Sequence, residues 1–161
     1  MATSRFVIGT TSGLATAISS FGTPMLLVNC ISSDCQFWTP ETDFILKRVY
    51  DCRTERYLTL GETYRQPFHS LLINNIVLGR RGYEVHNNGP DEIRAAVQYK
   101  LDCLDETARR ADEDHPMIAM YRAALANDPS LFGSALPALP FLEAHPELLA
   151  IDENATLAQT G

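Results

Sequence analysis

The residues best suited to chemistry lie near the amino terminus, in the run Gly9-Thr10-Thr11-Ser12-Gly13. Three hydroxyls between two glycines can donate to oxygen atoms, and glycine lets the backbone approach a ligand closely. If a helix starts there, its first amides lack internal partners and its dipole adds partial positive charge. Such a place suits phosphate, diphosphate or a carboxylate; it also suits Thr11 or Ser12 acting only as a helix cap. A second polar stretch, Asn29 to Asp43, carries Asn29, the single Trp38, Glu41 and Asp43. Trp38 can stack on a ring or anchor the loop in the core, and Glu41 and Asp43 carry carboxylates that can accept hydrogen bonds. His69 and His86 are the histidines nearest plausible ligand edges, with surface or capping roles as the plainer account. The one Asp-x-Asp pair, Asp112-Glu113-Asp114, falls in the acidic run from Asp102 to Asp114, which reads as a solvated helix face rather than a cation site. The four cysteines (Cys30, Cys35, Cys52, Cys103) form no C-x-x-C or zinc-ligand spacing with the four histidines. No metal is therefore expected.

The elements that must position these residues follow from periodicity. Phe6, Val7 and Ile8 form a short apolar run ended by Gly9, which predicts a buried parallel strand. Leu14, Ala15, Ala17, Ile18 and Phe21 recur at helical spacing; Gly22 suits a left-handed stop, and Pro24 prevents resumption. Met25 to Val28 is the next strand and Phe44 to Leu46 another, with Lys47 and Arg48 placed beyond it to face an anion or solvent. The stretch from Asp51 to Tyr57 reads as charged and turn-like. Thr59-Leu-Gly-Glu62 has the form of a capping box, so Glu62 is a helix cap. Leu71, Leu72, Ile76, Val77 and Leu78 predict a helix after Pro67 that stops at Gly82, and Tyr83 to His86 reads as the last strand.

Pro90-Asp91-Glu92 opens the clearest helix: proline suits the first turn, and the acids complement the dipole there. Its apolar face is Ile93, Ala96, Val97, Leu101 and Leu104, with charge continuing to about Asp114. A further helix over Met117 to Ala126 has Ile118, Tyr121, Ala124 and Leu125 as its buried side. Beyond it, Pro129, Pro137, Pro140 and Pro146 permit only short helices, while Phe132, Phe141, Leu142, Leu148 and Leu149 imply docking onto the rest. Residues 152–161 have little to bury.

The whole chain has 161 residues, 45% of them hydrophobic, which is enough for a core. A net charge of −7 and an isoelectric point near 5.0 argue against nucleic acid or an anionic membrane as the main partner. No run reaches the roughly 18 apolar residues of a membrane span, and no basic region precedes an apolar stretch as in a signal peptide. Reduced thiols and a cytoplasmic location are expected. The first strand starts within a few residues of Met1, as if joining a sheet already under way.

The blocks Arg5-Phe-Val-Ile-Gly-Thr-Thr-Ser-Gly-Leu14 and Phe21-Gly-Thr-Pro24 are similar to a poorly characterised bacterial family of glycosyltransferases. Phe37-Trp38, Arg56-Tyr-Leu-Thr59 before Glu62, and Tyr83 to Ile93 agree in order, so the resemblance covers roughly residues 4 to 106. It implies the carboxyl-terminal half of a GT-B type fold: an α/β, partial Rossmann-like parallel sheet with flanking helices, plus a helical, Pro-rich extension. Residues 1–112 would be an incomplete nucleotide-sugar-binding domain and 113–161 the tail. The family implies transfer of a hexosyl group in polysaccharide biosynthesis, without a cofactor or metal. Gly9, Thr10, Thr11, Ser12 and Gly13 would hold the donor diphosphate, and Asn29, Trp38, Glu41 and Asp43 would contact sugar or nucleotide. A separate amino-terminal domain or a second copy would complete the enzyme and bring the general base. The rival expectation is a noncatalytic phosphate-binding or partner-docking module. Gly89 departs from the family's Thr or Ser at that helix cap.

Overall fold

Met25 to Val28 is apolar at every position, so it can sit only where both faces of a strand are covered. The computed structural model, which describes residues 4–31, 39–65, 75–106, 114–125 and 134–151, places it inside a four-stranded parallel sheet. β1 (Val7–Gly9), β2 (Met25–Cys30), β3 (Thr42–Leu46) and β7 (Leu136–Pro137) lie in the order β1-β2-β3-β7. Val7 is level with Met25, Met25 with Thr42, and Asp43 with Leu136. Every residue of β3 is buried, whereas β1, at an edge, leaves Ile8 48% exposed. Among the described strands each step moves the same way across the sheet, so the order never reverses.

Two neighbouring residues of β3 show how the faces are covered, because successive strand side chains point oppositely. Asp43 pairs with Lys100 of α4 (Pro90–Leu104), while Phe44 meets Tyr121 of α5 (Pro116–Ala124) edge to face. Helices therefore cover both sides. α1 (Gly13–Ser19) joins β1 to β2 and buries Ala15 and Ile18. α6 (Leu139–Ala144) and a 3-10 turn (Pro146–Leu149) bury Phe141, Leu142, Leu148 and Leu149 in the same core cluster as β2 and β3. The fold is thus α/β, a parallel sheet with flanking helices, compatible with part of a Rossmann-like unit.

A second sheet grows from the first. After Lys47 the chain of β3 continues into β4 (Arg48–Asp51), which pairs antiparallel with β5 (Arg56–Tyr57) and β6 (Tyr83–His86). Two expectations change here. Asp51 to Tyr57 is a hairpin, not merely a turn: the Asp51 carboxylate takes the Arg53 amide at 2.9 Å and Glu55 adopts φ 52° to close it. Tyr83 to His86 is a strand, but of this antiparallel sheet and not the last member of the parallel one. The fourth parallel strand comes instead from Leu136–Pro137, in the stretch expected to form only short helices. Pro137 is tolerated there because, among the described strands, β7 pairs with β3 alone.

Several elements match their sequence signals. α2 (Leu60–Thr63) starts with a complete capping box between Thr59 and Glu62. α3 (Asn75–Arg80) ends where Gly82 takes φ +80°, and α1 is followed by Gly22 at φ +67°. α5 buries Ile118, Tyr121, Ala124 and Leu125 as expected. α4 ends at Leu104, ten residues before Asp114, with Glu106 in the left-handed region; residues 107–113 lie outside the described ones.

Candidate functional site

The hydroxyl-rich turn sits at the carboxyl end of β1, on the sheet edge where open α/β sheets bind ligands. Ser12 is the cap of α1: its backbone is extended and its Oγ accepts the Ala15 amide at 3.4 Å. Thr10, Ser12 and Gly13 are exposed, Gly9 and Thr11 half-buried. Nothing lies within 4 Å of where a side-chain carbon would stand on Gly9 or Gly13, and neither needs a positive φ. The two glycines therefore mark open space above the backbone, not a strained turn. α1 has seven residues, so its dipole contributes only modestly beside the hydroxyls.

Asn29 shares that edge, at the carboxyl end of β2. It adopts φ 54°, a conformation asparagine tolerates. Its amide donates to Asn88 Oδ1 at 2.6 Å, and the Asn88 amide donates back to Asn29 Oδ1 at 2.7 Å. Asn88 Nδ2 also donates to the Leu46 carbonyl at 2.8 Å. This knot ties the ends of β2 and β3 to the start of α4.

Glu41 and Asp43 are elsewhere. They open β3, so in a parallel sheet they stand at the edge opposite the turn. Asp43 is 1% exposed, and its Oδ2 takes a hydrogen bond from Lys100 Nζ at 2.6 Å; the same ammonium donates to the Glu41 carbonyl at 2.5 Å. The carboxylate is structural, while the Glu41 side chain is exposed. Trp38, Cys35 and His69 lie outside the described residues.

Past the end of β3 the charged residues face one another. Arg48 reaches Glu92 Oε1 at 3.2 Å, and His145 Nε2 lies 2.5 Å from the same oxygen. Glu62 is a cap, as expected, and two hydrogen bonds from Arg56 hold its carboxyl below the usual carboxylate range. Lys47 lines a small cleft with Ile31, Leu46, Val49, Leu58 and Tyr64, with room for about one water molecule.

One face of the antiparallel sheet carries a group that sequence reasoning missed. Arg48 and His86 are cross-strand partners, as are Tyr50 with Glu84 and Tyr50 with Tyr57, so all five side chains share that face. Tyr57 Oη lies 2.9 Å from His86 Nδ1, and His86 Nε2 lies 3.1 Å from Glu84 Oε2. Tyr50 stacks on His86 with ring centroids 5.6 Å apart. Burial, and then Glu55, push the Tyr50 phenol up. The Cys52 thiol is likewise pushed up, by lost hydration and then by Glu84, which disfavours the thiolate. The signal was the two-residue spacing of Arg48 with Tyr50 and of Glu84 with His86, legible only once both stretches are known to pair.

Among the described residues no group of three or more His, Cys, Asp or Glu is placed to hold a metal ion, and no described helix is long and apolar enough to cross a membrane. Comparison with protein-family models, with curated proteins and with solved structures finds no match.

Proposed function

We propose that the chain is the donor-binding part of a nucleotide-sugar-dependent glycosyltransferase of the GT-B type, catalytic only with an acceptor-side domain or a second copy. The observation that carries this reading is the turn at Gly9–Gly13: exposed hydroxyls and unobstructed glycines where a parallel strand passes into a helix. There a donor diphosphate would take hydrogen bonds from Thr10, Thr11 and the backbone. Glycosyl transfer also requires a base for the acceptor hydroxyl and stabilisation of the departing diphosphate. In this reading the turn serves the second need, without a metal, and the base comes from the completing domain. Among the described residues, Asn29 is the one other expected contact on the same edge. Asp43 and Glu41, at the opposite edge, have no part in it.

Thermal unfolding with UDP-, GDP- and CMP-sugars tests this. A ligand at a hundred times its Kd adds about 2.7 kcal/mol, a shift of roughly 5–10 °C for a chain of this size. One nucleotide class is expected to give such a shift, and Thr11→Glu, which leaves the Ser12 cap in place, to abolish it. Absence of any shift, or one that survives Thr11→Glu, removes the donor site.

A second reading, a partner-docking module without catalysis, is favoured by Ile8, Leu14 and Phe21, 48%, 64% and 83% exposed on β1 and around α1. It predicts concentration-dependent association in sedimentation and no response to nucleotides.

A further inference from the structure

From the Tyr57–His86–Glu84 chain on one face of the antiparallel sheet, we infer that Tyr57 is a nucleophile toward activated acyl esters, with His86 as its base and Glu84 as the positioning residue. The assignment of protons follows from the partners. A carboxylate only accepts, so the His86 nitrogen facing Glu84, Nε2, carries hydrogen. In neutral imidazole Nδ1 is then the acceptor, and it faces the Tyr57 hydroxyl at 2.9 Å. A nucleophile within hydrogen-bond reach of a base, itself oriented by a third group, is the arrangement that activates hydroxyl nucleophiles on unrelated folds.

Two further contacts support Tyr57 in particular. The Arg48 guanidinium carbon lies 4.5 Å over the centre of its ring. That attraction grows as negative charge develops on the phenol oxygen, so it stabilises the attacking form more than the resting one. Tyr50, on the same face, lacks this arrangement: its ring stacks on His86, and burial, then Glu55, push its phenol up. Tyr57 is half-buried, and the His86 and Glu84 side chains, 36% and 63% exposed, open the group to solvent on their side.

Charge decides the substrate class. Glu55 and Glu84 are the acidic groups acting on this face. Arg48 is already engaged by Glu92. A phosphoryl group would meet net repulsion, whereas the carbonyl of an ester or thioester is neutral. Tyr57 Oη forms a bond to the acyl carbon, its proton passes to His86 Nδ1, and the bond from acyl carbon to the leaving oxygen or sulfur breaks. That proton then goes to the leaving alcohol or thiol. Water, its proton taken by His86, cleaves the acyl-tyrosine and returns the phenol, so ester and water become acid and alcohol.

The inference is independent of the donor turn, and its probe is p-nitrophenyl acetate with the intact chain. One acetyl group is expected on Tyr57, located by peptide mass mapping, and forming at least about a hundredfold faster than on Tyr50 in the same molecules. His86→Gln is expected to remove that advantage while far-UV circular dichroism stays unchanged. Glu84→Ala should lower the rate on Tyr57, and Glu84→Gln, whose amide oxygen still accepts from His86 Nε2, should restore most of it. A Glu84 without a positioning role would leave the Tyr57 rate the same in both variants. Acetylation spread over tyrosines and lysines at background rate, or a Tyr57 rate untouched by folded His86→Gln, overturns the assignment.

Discussion

Lys100 and Asp43 show how much one pair can decide. Their side chains are 3% and 1% exposed, so both charges have left water, and only their mutual contact and hydrogen bonds offset that cost. Replacing Lys100 by Met strands a buried carboxylate and is expected to cost about 3–5 kcal/mol in urea unfolding. The double variant Lys100→Met, Asp43→Leu removes both charges and is expected to recover most of the loss, because a well-packed apolar pair often replaces a buried ion pair at little cost. A double variant as unstable as the single one would mean that the strand requires the carboxylate itself. The same pair marks what sequence could not tell. Asp43 looked like a ligand because it follows a polar loop, and nothing local joins residue 43 to residue 100. Ser12 and Glu62 were legible because a cap and its target lie three residues apart.

At the scale of elements, α2 has only four residues and depends on its cap. Thr59→Ala is expected to cost about 1 kcal/mol. Glu62 closes the same box, and its carboxyl is held low chiefly by Arg56; Asp51, at the β4–β5 turn, is held low chiefly by Arg53. A carboxyl lowered in the folded state stabilises the fold above its unfolded value, and that contribution is lost as pH falls through the folded value. The melting temperature is therefore expected to fall as pH drops below about 4. Glu62→Gln should melt lower at pH 7 yet lose less on acidification; an unchanged acid limb would show that Arg56 and Glu62 contribute nothing. Helices opened by proline and carrying apolar residues at helical spacing, such as α4 and α5, could be read from sequence alone. The two-residue strands β5 and β7 could not, because their conformation is set by the partner they pair with. Tyr83 to His86 announced a strand, but a four-residue pattern carries no word on its neighbour or direction.

The whole molecule depends on residues from both sides of position 112 sharing one core. β7 hydrogen-bonds beside β3, with the Ala138 amide donating to the Phe44 carbonyl at 2.9 Å. Phe141, Leu142, Leu148 and Leu149 are each 2–3% exposed or less, in one cluster with Leu26, Phe44 and Ala96. Burying a side chain of this kind stabilises by about 1.5–3 kcal/mol. Four of them contribute roughly 6–12 kcal/mol, as much as the entire stability of an ordinary domain, about 5–15 kcal/mol. A chain ending at residue 125 also bares the β7-facing edge of β3 and the surface that α6 covered. It is expected to give no cooperative urea transition, whereas the full chain unfolds in one transition by fluorescence and circular dichroism alike. If residues 1–125 melt cooperatively, the Pro-rich segment is an appendage and the turn at Gly9–Gly13 belongs to a domain that stands without it. If they do not, any ligand that stabilises the turn at Gly9–Gly13 must also protect α6 from hydrogen exchange, since the two then unfold together.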